Sequence, residues 1–126
     1  MPKTIPALEN APAPVAPYSV AVEANGFVFL SGQVAIDPSG GSTPTDVQEQ
    51  ADLVLRNIGA ILSELGLGYA DVVKSTVFLA DIRDFGLVNE VYARYFDTDP
   101  PARSAIQAGA LPAPQFRVEI EVIAVR

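Results

Sequence analysis

The chain has 126 residues, enough for one hydrophobic core and too few for two. Hydrophobic residues make up 49 % of it, but no apolar run approaches the length that spans a bilayer. Its net charge of −7 argues against a nucleic-acid surface, which needs clustered Lys and Arg, and means that an anionic small molecule requires a local, well-placed cation.

The sequence holds no cysteine and no histidine. That excludes disulfides, His- or Cys-liganded metal sites, and every triad that uses His as its base. Lys3 and Lys74 are the only lysines, so a Schiff-base mechanism has few places to live. Chemistry must come from Arg, Asp, Glu, Tyr, Ser, Thr, amides and water. The start, Met1-Pro2-Lys3-Thr4-Ile5-Pro6, lacks the basic and apolar stretches of a signal peptide, so the expected location is the cytoplasm.

Residues 1–17 are rich in proline and read as an extended arm. Tyr18 to Glu23 and Phe27 to Ser31 read as strands joined by the hairpin signal Asn25-Gly26. Asp37 to Gly41 is a loop. Val47, Ala51, Val54, Leu55, Ile58, Ile61, Leu62 and Leu65 recur at helical spacing. Thr43 with Pro44 and Asp46 marks the helix start, Thr45 with Gln48 is an alternative cap, and Gly66 closes it.

Val72 to Leu79 is a strand by its β-branched content. Phe85, Val88, Val91, Tyr92, Tyr95 and Phe96 mark a second helix, capped by Asp81 or Asp84 and stopped before Pro100-Pro101. Arg103 to Ala108 and Arg117 to Val125 complete a ββαβαββ order. The expected class is α+β, one domain over residues 1–126, with a mixed sheet packed on two helices.

The last strand predicts two unlike faces. Val118, Ile120, Val122 and Ala124 suit burial under helices. Arg117, Glu119, Glu121, Ile123 and Val125 are half charged and half apolar, a pattern that fits a subunit interface with a polar cleft at one end.

Five motifs occur in order: Pro17-Tyr18, Ser31-Gly32-Gln33, Val88-Asn89-Glu90-Val91-Tyr92, Pro100-Pro101-Ala102-Arg103-Ser104 and Val118-Glu119-Ile120-Glu121. Together they resemble the reactive intermediate deaminase family, also called the RidA or YjgF family, from about Pro12 to Val125. The resemblance implies a chorismate-mutase-like fold and a homotrimer with sites between subunits. It implies hydrolysis of 2-imino acids, such as 2-aminoacrylate released by pyridoxal-phosphate enzymes, to 2-keto acids and ammonia. It implies no cofactor and no metal. Arg103 matches the family's carboxylate-binding Arg, and Glu119 the Glu that handles the water. Tyr18 matches the Tyr that lines the cleft, Ser31 the Ser of the strand-two motif, and Asn89 an Asn of the second helix placed near the site. Three departures stand out: Ala105 where many members have Cys, Ala16 for a common Gly, and a loop at Pro112 to Phe116 one residue longer.

Each candidate has a plainer reading. Arg103 offers a planar two-donor fork for a carboxylate, but a structural ion pair with Glu119 or Glu121 would also explain it. Glu119 is the expected acid–base group, against an outer-strand glutamate with no chemical role. Tyr18 reads as a substrate hydrogen-bonding group or a half-buried strand residue, Ser31 as a hydrogen-bonding group or a turn serine, and Asn89 as a ligand contact or a helix-surface residue. Tyr92, Tyr95 and Phe96 read as core packing. Competing functions are a related deaminase of the aminomuconate or biosynthetic-imine type, a non-catalytic module binding small carboxylates or partner proteins, and a ribonuclease. The expected partners are a small 2-imino or 2-keto acid and further copies of the chain, with no nucleic acid and no membrane.

Overall fold

The computed structural model describes residues 2–126. Seven regular elements follow in the expected ββαβαββ order. They are β1 (Ala21–Ala24), β2 (Phe27–Gln33), α1 (Val47–Glu64), β3 (Val72–Leu79), α2 (Phe85–Tyr95), β4 (Ala102–Gln107) and β5 (Val118–Val125). The five strands form one sheet in the order β1-β2-β5-β3-β4. All neighbours are antiparallel except β3 and β4, which run parallel because α2 carries the chain back between them.

The Asn25-Gly26 turn forms as its residue types require, with φ of 52° and 80°. Asp46 caps α1, its carboxylate accepting from the Glu49 N–H at 2.9 Å. The alternative Thr45–Gln48 cap does not form, because the Gln48 amide donates instead to the Leu87 carbonyl. Gly66 ends the helix at φ +75°, a left-handed position that glycine occupies without strain. The apolar stripe of α1, including Leu55, Ile58, Ile61 and Leu62, is buried against the sheet face carrying Val28, Val118, Ile120 and Val122.

Three details depart from the sequence reading. The first strand begins at Ala21, not Tyr18, because the chain turns at Pro17, where the Tyr18 N–H donates to the Ala16 carbonyl. Asp81 caps a short 3₁₀ turn by accepting from the Arg83 N–H, while Asp84 makes no side-chain cap to α2 and pairs with Arg117 at 2.9 Å. Arg117 therefore does not share the open face of Glu119. It lies before β5, its N–H donates to the Gln50 amide oxygen, and its guanidinium reaches Asp84 and the Thr45 carbonyl beside the helices.

From Val118 on, the two-faced reading of β5 holds: Val118, Ile120, Val122 and Ala124 are buried, Glu119, Ile123 and Val125 are half-buried, and Glu121 is exposed. The helices cover the first face. The second face also carries Phe27 and Phe29 of β2, 44 % and 42 % exposed. Their ring centroids lie 6.3 Å apart, so the two aromatics form one exposed apolar pair on that face.

Candidate active site

Arg103 sits on β4, at the edge of the sheet. It pairs in register with Ser75, a buried residue of β3 that points toward the helices. Its side chain therefore lies on the helix-covered face, against α2. The guanidinium donates to the Asn89 side-chain oxygen at 2.8 Å. It lies 4.8 Å from the centre of the Tyr92 ring and 5.5 Å from that of Phe85. Phe85, Asn89 and Tyr92 are spaced i, i+4, i+7, so one face of α2 presents all three.

Among the described residues Arg103 and the exposed Arg94 make no ion pair, whereas Arg56, Arg83, Arg117 and Arg126 each have an acidic partner. The ion pair with Glu119 or Glu121 is not formed. A half-buried guanidinium with one donor committed to an amide keeps its remaining N–H groups for a ligand, and a planar carboxylate fits that fork.

Glu119 lies elsewhere. It pairs in register with Phe78 and projects from the open face of the sheet, opposite to Arg103. Its carboxylate lies over the backbone of Gly32. Burial raises its pKa above the ordinary value of 4.5, and the negative charge of Glu121 raises it further. A carboxyl so perturbed exchanges protons closer to neutral pH than a solvated one.

Ser31 adjoins Gly32 in the chain. Its hydroxyl donates to the Ser19 carbonyl at 2.6 Å, so its proton is committed to the backbone while its lone pairs stay available. That bond fixes the segment directly after Tyr18, which is 48 % exposed. Tyr18 borders a cleft of about 470 Å³ between the arm and Val20, lined by Ile5, Leu8, Pro12 and Pro14. The charged residue bordering this cleft is Glu9, which repels a carboxylate, so the cleft suits no anionic substrate. The expected residues thus form two groups. Arg103 and Asn89 are together; Glu119, Ser31 and Tyr18 belong to the neighbourhood of Gly32. A single chain does not bring the groups together.

Over residues 8–126 the chain matches the family described as endoribonuclease L-PSP. The chain belongs to this family. A mouse member named 2-iminobutanoate/2-iminopropanoate deaminase is 50 % identical over 118 residues, covering 93 % of this chain and 87 % of the relative. The crystal structure of a Yersinia pestis protein of the conserved Rid family superposes with a TM-score of 0.92, at 40 % identity, covering 99 % of this chain and 100 % of that one. E. coli TdcF, solved with bound serine, superposes at 0.90 with 42 % identity and covers 98 % of each chain. The L-PSP family and the reactive intermediate deaminases expected from the motifs are therefore one family.

Tyr92, Ser75 and Phe85 complete the surroundings of Arg103; the sequence reading assigns Phe85 and Tyr92 to the apolar stripe of α2 and does not single out Ser75. The i, i+4, i+7 spacing around Asn89 is the signal that could have found the two aromatic ones.

Proposed function

We propose that this L-PSP chain hydrolyses 2-imino acids to 2-keto acids and ammonia, as a cytoplasmic enzyme that needs no cofactor. The observation that carries the reading is the half-buried Arg103 guanidinium, held by Asn89 and Tyr92 and lacking an acidic partner among the described residues. The substrate class is that named for the mouse relative.

The working form is a homotrimer with a chorismate-mutase-like arrangement. The placement of Arg103 and Glu119 on opposite sheet faces supports a cleft built from two copies. One copy supplies Arg103 and Asn89, and its neighbour supplies Glu119, Ser31 and Tyr18. The exposed Phe27 and Phe29 give the copies an apolar surface to bury. Closure of that interface also dries the cleft, which strengthens the pull of Arg103 on an anion in a protein of net charge −7.

In the reaction, the substrate carboxylate lies on the Arg103 fork and turns the imine carbon toward a water beside Glu119. Glu119 takes a proton from water as its oxygen adds to the carbon of the protonated imine, giving a neutral carbinolamine. The same proton then passes to the amino nitrogen. As the C–N bond breaks, ammonia leaves with the bonding pair and the hydroxyl proton passes to the Glu119 carboxylate, so the carbonyl forms. Water and imine are consumed and keto acid and ammonia result, with no redox change. Positioning and one acid–base group suffice for a substrate that already hydrolyses in water, since general acid–base catalysis contributes roughly 10²–10⁴-fold.

The test is keto acid release from a 2-imino acid generated by an amino-acid oxidase. Acceleration by the wild type and its loss in Arg103→Ala are expected. Equal rates would refute the assignment. RNA cleavage, the activity in the family's description, is poorly served by the acidic composition.

A further inference from the structure

We infer that Tyr92, pinned by Ser75, is a positioning residue that aims the Arg103 guanidinium at the substrate carboxylate. The inference rests on the deaminase reading and adds residues to its site. Tyr92 and Ser75 are 6 % and 1 % exposed, and their hydroxyls lie 2.6 Å apart. Either can donate. Ser75 occupies an inward-facing position of an interior strand, in line with the buried Val77 and Leu79, where an apolar side chain would pack without a partner.

A buried polar pair adds little net stability over an apolar pair of the same shape, and each member alone is expensive. What the pair does provide is direction. The bond from Ser75 sets the tilt of the phenol ring, and the ring face receives the guanidinium at 4.8 Å. Phe85 bounds the guanidinium at 5.5 Å, and Asn89 holds one N–H. The Arg103 side chain is thereby ordered before substrate arrives, which removes rotamer entropy from the binding step. Neither ring nor amide competes for the carboxylate. A carboxylate in the place of Asn89 or Tyr92 would occupy the fork.

The experiment compares wild type, Tyr92→Leu, Tyr92→Phe and the double variant Ser75→Ala/Tyr92→Phe. The ligands are 2-oxobutanoate and its neutral amide, with melting curves run alongside. A cation–π contact of this kind makes Tyr92→Leu bind 2-oxobutanoate about tenfold more weakly, with the amide unchanged. Tyr92→Phe keeps the ring but loses its bond to Ser75, so it weakens 2-oxobutanoate binding about two- to threefold, far less than Tyr92→Leu. The double variant removes both hydroxyls together and folds; its unpinned ring weakens 2-oxobutanoate binding two- to threefold, about the loss of one weak contact. An independent reading is the Nε–H proton of Arg103, identified by its loss in Arg103→Lys. The ring face shields it, so it resonates upfield of the other arginines in wild type and Tyr92→Phe, and moves back toward them in Tyr92→Leu.

Equal weakening for acid and amide, or an unshielded Arg103 proton in the wild type, overturns the inference. Should Tyr92→Leu not fold, unchanged 2-oxobutanoate affinity in the double variant overturns it. A wild type that binds 2-oxobutanoate without turning over imine refutes the deaminase reading while the Tyr92 comparison still stands. A wild type that binds no carboxylate overturns both.

Discussion

The carboxylate of Glu119 lies over Gly32 so closely that a methyl group there would collide with it. The obstacle is the end of a flexible side chain, and Gly32 has no left-handed backbone to strain an alanine. Gly32→Ala should therefore leave the melting temperature nearly unchanged. It should push Glu119 aside and reduce kcat about 10²-fold, since misplacing a catalytic group by an ångström carries that penalty. Normal kcat in a folded Gly32→Ala would remove Glu119 from the reaction.

The raised pKa of Glu119 also predicts a pH dependence. Its folded value lies above the ordinary 4.5, so ionised Glu119 opposes folding. Relative to Glu119→Gln, wild type should gain stability as pH falls and lose it as pH rises through the folded value. Glu119→Gln should be the more stable protein at neutral pH, and the difference should vanish in acid. Because Glu121 contributes to the shift, Glu121→Gln should move the acidic limb of the pH–rate profile to lower pH. Melting curves and rates across the acidic range check both.

Arg103→Lys keeps the charge and loses the fork. The loss of one charge-assisted hydrogen bond predicts a fall in kcat/KM of roughly 10- to 100-fold. A lysine variant with wild-type kcat/KM would show that charge alone is read.

If each cleft joins Arg103 of one copy to Glu119 of the next, two dead variants should rescue each other. Arg103→Ala and Glu119→Gln chains, refolded together in equal amounts, should recover about a quarter of wild-type activity, the chance that both halves of a cleft are intact under random assembly. Mixtures that stay inactive, with mass spectrometry showing mixed trimers, would place both residues in one copy's site.

Gly59 lies mid-helix in α1, where alanine would ordinarily stabilise by about 1 kcal/mol. Here the Tyr69 phenol occupies the space a Cβ would need, and its hydroxyl donates to the Leu55 carbonyl at 2.6 Å. Gly59→Ala should destabilise the protein, and adding Tyr69→Leu should recover part of the loss. Chemical denaturation of both checks this.

The faces of β5 were legible from alternation alone, because a strand under helices must be apolar at every second residue. The helices were legible from their stripes and from Asp46 and Gly66. The relation between Arg103 and Glu119 was not. It depends on strand order, which places β5 between β2 and β3 and sends β4 parallel to the edge. No local pattern encodes that. Tyr92 was legible as a buried aromatic, but its partner Ser75 lies 17 residues away on another element. Asp84 stands at the N-cap position that its type suits, but its carboxylate is taken by Arg117, 33 residues distant.

One buried amide has a consequence for how the molecule tolerates change. Gln50 donates to the Pro44 and Gln115 carbonyls and accepts from the Arg117 N–H. It clamps the chain immediately upstream of β5, independent of the path taken after β4. Residues inserted between Gly109 and Gln115 are absorbed ahead of the clamp, so the register that delivers Glu119 to Gly32 is insulated from loop length. A change of length in that loop should therefore leave the Glu119 carboxylate over Gly32.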